Sequence, residues 1–198
     1  MNNKMITISR EFGSGGRTIG KEVATKLGIP CYDSELIGKI AEESGFSKEY
    51  IAEKGEYAHH ASWFANAIAA DYSYHGFSAQ GYLWNVQRKV ILDIAQKGPC
   101  VIVGRCADYI LKNDFDCLCV FIHADMEKRA ERIVSVYGEQ EDAPEKRLRD
   151  KDKKRAAYYQ FYTDTKWGDV RNYHITLDSG VIGIEKCADI IADLYLKN

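Results

Sequence analysis

Gly13, Ser14, Gly15, Gly16, Arg17 and Thr18 put three glycines, two hydroxyls and a guanidinium within six residues. Glycine has no Cβ, so the backbone at Gly13, Gly15 and Gly16 can curl and turn several N–H groups inward. A di- or triphosphate is the natural guest of such a curl. In the pattern G-x-x-x-x-G-K-[ST], Gly16-Arg17-Thr18 can take the last three places, with Glu11 at the first glycine and Arg17 at the lysine. Sliding by one puts Gly16 at the lysine position, so neither register contains a lysine. Arg17 can supply the charge instead, since a guanidinium grips phosphate oxygens in a fork. Thr18, or Ser14, offers a hydroxyl for Mg²⁺. A glycine turn with no ligand is the plainer reading; the density of phosphate-binding residue types argues against it.

The loop needs a strand before it and a helix after it. Met5 to Ser9 reads as the strand, and the helix, about Arg17 to Leu27, points its positive dipole end at the same spot. Ile19, Val23, Ala24 and Leu27 give that helix an apolar face, and Gly28 ends it. Residues 29–33 read as a second strand ending in Asp33, which completes a βαβ unit. Residues 34–97 show no strand pattern. Ser34 is expected to cap a helix there, and the last helix of the stretch runs about 80–97. Pro99 to Gly104 and Asp116 to Ile122 are apolar runs suited to strands buried on both faces. Asp125 is expected to cap a helix over 126–137. A charged helix follows over about 145–162, then a fifth strand at 173–177. Asp178-Ser179-Gly180 turns into a final helix with an apolar stripe.

The expected fold is α/β: five parallel strands with helices on both faces, forming one domain. Its core would be 1–33, 91–138 and 172–198, with helical excursions at 34–90 and 139–171. Ligands collect at the C-terminal strand ends of such sheets. The residues found there are the glycine loop, Asp33, Gly104-Arg105, His123 with Asp125, and Asp178-Ser179. Arg105 either binds a phosphate or carboxylate in the crevice or pairs with Asp33 or Asp108. From Lys146 to Arg155, seven of ten residues are Lys or Arg. That helix is either solvated and held by its own ion pairs, or a lid closing on phosphates. The aromatic stretch 57–84 could shape a base pocket, pack internally or form a subunit interface. Arg88, by itself, reads as a surface charge.

The 198 residues carry a net charge of −2, which disfavours a general nucleic-acid binder. No apolar run reaches the roughly 18–20 residues of a membrane span, and the N-terminal apolar stretch is too short for a signal peptide. The six cysteines show no C-x-x-C spacing and the five histidines are scattered. Reduced thiols in a cytoplasmic protein are expected, with no zinc site.

These pieces together resemble the nucleoside monophosphate kinases, most closely the cytidylate kinase-like family. The likeness rests on Ile8-Ser-Arg-Glu-Phe-Gly-Ser-Gly-Gly-Arg17 running on to Asp33, and on Val103-Gly-Arg105. The latter is similar to a Gly-Arg-Asp motif with Cys106 in place of the acid. Asp150-Lys-Asp-Lys-Lys-Arg-Ala156 resembles the family's lid helix, and Trp167-Gly-Asp169 with Asn172-Tyr173 is similar to its kinase-like branch. The resemblance implies ATP with Mg²⁺, and a nucleoside monophosphate acceptor, most specifically CMP or dCMP. It implies that Gly13 to Thr18 hold the ATP phosphates and that Arg88 and Arg105 grip the acceptor phosphate. It places Asp33 at the acceptor floor, Asp152 and Arg155 on the acceptor from the lid, Lys151 on the transferring phosphoryl, and Asp178-Ser179 beside the donor base. Two other readings fit the same residues: a nucleotide-binding protein with little or no turnover, and a kinase for another small metabolite.

Overall fold

The computed structural model describes residues 4–33, 36, 39, 43, 79–138 and 143–197. The Ser34 cap and residues 57–78 of the aromatic stretch lie outside the described residues. Five strands form one parallel sheet: β1 (Met5–Arg10), β2 (Cys31–Tyr32), β3 (Val101–Val103), β4 (Cys117–His123) and β5 (Ile175–Asp178). Their order is β2-β3-β1-β4-β5, with every pair parallel. The strand that leads into the glycine loop is therefore central. The second strand is shorter than the expected 29–33. Chain lying at a sheet edge has one partner strand, so its pairing ends sooner.

Apolar side chains alternate between two cores. Met5, Ile102, Cys117, Cys119 and Phe121 face one of them, packed by α2 (Ala79–Gln96) and the short α3 (Ala107–Leu111). Ile6, Ile8, Val101, Val103, Leu118, Val120 and Ile122 face the other, packed by α1 (Gly16–Leu27) and α7 (Ile184–Lys197). Both faces of β3 and of nearly all of β4 are buried, which is why these two read as apolar runs, whereas β2 and β5 at the edges are mostly half-buried.

Beyond β4 come α4 (Met126–Ser135) and the charged helix, α5 (Pro144–Thr163). Asp125 stands at the start of α4, but its side chain makes no capping hydrogen bond. The expected single final helix is two, α6 (Ser179–Ile182) and α7, separated by Gly183 at φ 86°. α3 and a 3₁₀ turn at Val170–Asn172 escape the sequence pattern because each is too short to show a period.

Candidate active site

The glycine loop leaves the centre of the sheet at Arg10 and enters α1 at Gly16. Gly13 and Gly15 adopt left-handed φ of 78° and 80°, a conformation that glycine takes without strain. The loop lines a cavity of about 380 Å³ with Glu11, Phe12, Gly13, Gly15, Gly16, Arg17 and Thr18. Thr18 is exposed there, so its hydroxyl is open to a ligand. Ser14 is fully buried and its hydroxyl donates to the Glu11 carbonyl at 2.9 Å. That bond folds the loop and commits the Ser14 hydroxyl to it. Ser179, also buried, donates to the Ser14 carbonyl at 2.5 Å and to the His123 carbonyl at 3.1 Å. Asp178 accepts from the Gly180 and Val181 N–H groups at 2.9 and 3.2 Å. Of the expected pair Asp178-Ser179, Ser179 braces the loop through its hydroxyl, and Asp178 caps the turn that follows it. Arg17 is exposed and forms an ion pair with Asp33 at the end of β2.

A smaller cavity, about 30 Å³, opens beside the loop between the ends of β1 and β3. Ser9, Arg10, Gly104, Arg105, Cys106, Arg155, Tyr158, Tyr159 and Trp167 line it. Arg10 and Arg155 line both cavities, so the two adjoin. Arg105 is 7% exposed, and neither Nη1 nor Nη2 has a hydrogen-bond partner among the described residues. Asp108 is therefore not the partner of either Nη atom; its carboxylate accepts the Tyr159 hydroxyl at 2.5 Å. Burial raises the Asp108 carboxyl above the ordinary aspartate value, against the pull of the Tyr159 bond. The turn holding Arg105 is left-handed at two non-glycine residues, Arg105 at φ 59° and Cys106 at φ 54°. Such backbone strain needs outside support. Gln87 gives some: its Nε2 donates to the Arg105 carbonyl at 3.0 Å, and its Oε1 accepts the Tyr158 hydroxyl at 3.0 Å.

The charged helix α5 lies against the glycine loop. Asp152 accepts the Phe12 N–H at 2.7 Å and Arg129 Nη1 at 2.5 Å. Arg129, 5% exposed, also donates to the Phe12 carbonyl at 3.2 Å and lies 3.5 Å from Glu11. Arg132 donates to the Gly13 carbonyl at 3.1 Å. Arg155 donates to the Arg10 carbonyl at 3.1 Å and sits over the Phe12 ring at 5.4 Å, with Lys151 over the same ring at 5.9 Å. Asp152, expected on the acceptor, holds the loop backbone here, because a carboxylate beside a buried guanidinium and an orphan N–H satisfies both. Burial raises the Glu11 carboxyl, opposed by Arg129.

The model of the cytidylate kinase-like family matches residues 5–181. The chain belongs to that family. Among solved structures it is similar to an uncharacterized protein from Eubacterium ventriosum ATCC 27560, at 26% identity and TM-score 0.74, covering 98% of this chain and 99% of that one. It is also similar to a shikimate kinase from Acinetobacter baumannii, at 18% identity and TM-score 0.57, covering 100% and 95%. A shikimate kinase from Bacteroides thetaiotaomicron aligns at 17% identity and TM-score 0.56, covering 97% and 98%. These last two show the P-loop kinase fold. No curated protein sequence matches the chain.

For this cytidylate kinase-like chain, the structure gathers Gly13 to Thr18, Arg17 with Asp33, and Arg105 with Arg155 at one end of the sheet. It does not bring Arg88 there: Arg88 is exposed on α2 and lines neither cavity. Its neighbour Gln87 is the buried one. Arg10, Gln87 and Arg129 are the site residues that sequence reasoning passed over. Gln87 lies three and four residues before the buried Val90 and Ile91, and Arg129 four before the buried Ile133. A polar residue in an apolar helical stripe is the signal that could have found both. Trp84, from the aromatic stretch, stacks on Tyr162 of α5 at 4.3 Å, so this part of the stretch packs internally. All six cysteines are free, no group of three or more metal-ligating side chains occurs among the described residues, and no described helix is long and apolar enough to cross a membrane.

Proposed function

We propose that this protein transfers the terminal phosphoryl of ATP to a small phosphate-bearing acceptor, a nucleoside monophosphate and most specifically CMP or dCMP. The observation that carries the reading is Arg105. A buried guanidinium whose two Nη atoms have no partner among the described residues, at the lip of a cavity adjoining a glycine loop, calls for an anion. Polyphosphate fits the loop side, where the left-handed Gly13 and Gly15 curl the backbone around the cavity and α1 turns its N-terminus toward it. Arg155 spans both cavities and would follow charge from one to the other.

Phosphoryl transfer needs placement and positive charge, because negative charge spreads over the equatorial oxygens while the attacking and leaving oxygens lie in line. An acceptor phosphate is already ionised near neutral pH, so no general base is required. Bound Mg²⁺ would neutralise charge on the donor phosphates. Thr18 is the residue suited to hold it, since its hydroxyl is exposed in the cavity while that of Ser14 is committed. A cation with phosphate and water ligands needs few protein groups. The stretch 139–171 would serve as the lid, with α5 in the docked position excluding water.

The test is incubation with Mg-ATP and a panel of nucleoside monophosphates, reading ADP. Turnover with CMP or dCMP supports the proposal in full. ATP binding without ADP from any acceptor refutes it and favours a nucleotide-binding role without turnover. A second reading, a kinase for a small alcohol, is favoured by Asp33, a carboxylate paired with Arg17 of the loop cavity's lining, which could act as general base. One fold neighbour is a shikimate kinase in complex with shikimate. Turnover of an alcohol that survives Asp33→Asn would refute that assignment of Asp33.

A further inference from the structure

Arg10 is the last residue of β1 and is 8% exposed, an unusual burial for a guanidinium. Two glycines leave room for its side chain. A Cβ on Gly16 would come within 2.6 Å of Arg10 Cβ, and one on Gly104 would overlap Arg10 Nη1. The side chain therefore runs from the start of α1 across to the turn that carries Arg105. It lines the loop cavity and the small cavity alike. The described residues lining the small cavity include three arginines and no acid. Arg105 there has no partner for either Nη atom among the described residues. Arg17, which takes the lysine position in one register of the phosphate-loop pattern, lines the loop cavity but not the small one, and it is exposed and paired with Asp33.

We propose that Arg10, and not Arg17, supplies the charge at the point of transfer, its guanidinium bridging the donor's terminal phosphoryl and the acceptor anion held by Arg105. This rests on the phosphoryl-transfer reading above. An acceptor oxygen attacks the γ-phosphorus, the bond from that phosphorus to the β–γ bridging oxygen breaks, and the electron pair leaves on ADP. No proton moves when the attacking oxygen is already ionised. Charge grows on the oxygens between the two cavities, which is where the Arg10 fork reaches. A fork there binds one oxygen from each partner and helps hold them in line. Arg10 is thus a catalytic residue in this scheme, while Gly16 and Gly104 are what give it passage.

The experiment compares wild-type protein with Arg10→Met, Arg10→Lys and Arg17→Met, in steady-state turnover of Mg-ATP with the best acceptor of the panel. Arg10→Met is expected to lower kcat at least about a hundredfold while the ATP KM moves less than about threefold, the mark of an interaction made in the transition state. Arg17→Met is expected to act mainly on the ATP KM, with its kcat falling at least about tenfold less than that of Arg10→Met. Added guanidinium ion restores part of the turnover of Arg10→Met and none of that of Arg17→Met. Arg10→Met turnover within about threefold of wild type, or a loss confined to the ATP KM, overturns the proposal. Should melting curves show Arg10→Met unfolded, Arg10→Lys carries the test. Its point charge replaces a fork, so kcat is expected to fall at least about tenfold, and an unchanged kcat overturns the proposal. Should wild-type protein turn over no acceptor, the kinase reading fails by itself. Binding of inorganic tripolyphosphate then decides Arg10: a loss of at least about tenfold in Arg10→Lys supports the bridging role, and equal affinity overturns it.

Discussion

Asp152→Ala should loosen the phosphate loop, and the cost can be worked from the contacts. The substitution orphans the Phe12 N–H, which loses an acceptor at 2.7 Å. An unsatisfied backbone donor costs about 1–3 kcal/mol. It also removes the 2.5 Å carboxylate partner of Arg129, whose side chain is 6% exposed. Breaking a fully buried pair costs about 3–5 kcal/mol, but Arg129 keeps the Phe12 carbonyl at 3.2 Å and Glu11 at 3.5 Å. About 2 kcal/mol is the fitting share for that loss. The two losses share one carboxylate and are not additive, so the total is about 3 kcal/mol. For a domain of this size that lowers Tm by about 6–12 °C. Asp152→Asn, which still offers an oxygen to Phe12, should lose about half as much. Lys153→Ala, an exposed change on the same helix, is the control and should move stability by less than about 0.5 kcal/mol. Calorimetric melts of the four proteins decide it. A Tm for Asp152→Ala within about 2 °C of the Lys153→Ala value would show that the clamp on the loop carries no weight.

Arg105→Met should stabilise the ligand-free protein by about 1 kcal/mol, since it removes a buried charge whose Nη atoms have no partner among the described residues, while abolishing turnover. Urea midpoints and the ADP assay check the two halves, and a destabilised variant refutes the account of Arg105. Asp108→Asn should flatten the pH dependence of stability. Burial raises the folded-state carboxyl of Asp108, so its contribution is full below the ordinary aspartate value and is lost as pH rises through the raised one. The asparagine keeps an acceptor for Tyr159 and does not titrate. Urea midpoints over a pH series should then diverge from wild type upward through that window, and parallel curves refute it. Gly15→Ala places a Cβ against Ile184 Cδ1 at φ 80°. It should cost about 1–2 kcal/mol and weaken tripolyphosphate binding measured by calorimetry; unaltered affinity would count against the loop as the phosphate cradle.

β3 and β4 were legible because both their faces are buried, so each reads as an apolar run, from Val101 and Cys117 onward. The parallel arrangement followed from the helices between them, and the site from what stands after each strand. Gly13, Gly15, Thr18, Asp33 and Arg105 were found this way. What stayed hidden is long-range pairing. Asp152 meets Phe12 across 140 residues and Arg129 meets Phe12 across 117. No local spacing encodes such partners. The charged helix was ambiguous for the same reason: its composition suits both solvent and phosphate, and only packing shows Asp152 and Arg155 turned to the loop. Arg10 was masked by its setting, as a strand-end arginine resembles any edge charge until Gly16 and Gly104 are seen beside it.

The Ser179 hydroxyl grips the Ser14 carbonyl from 165 positions further along the chain. During translation, the Ser14 carbonyl consequently lacks this partner until residue 179 has emerged from the ribosome, whereas the contacts from Arg129, Arg132 and Asp152 to the loop are encoded earlier in the chain.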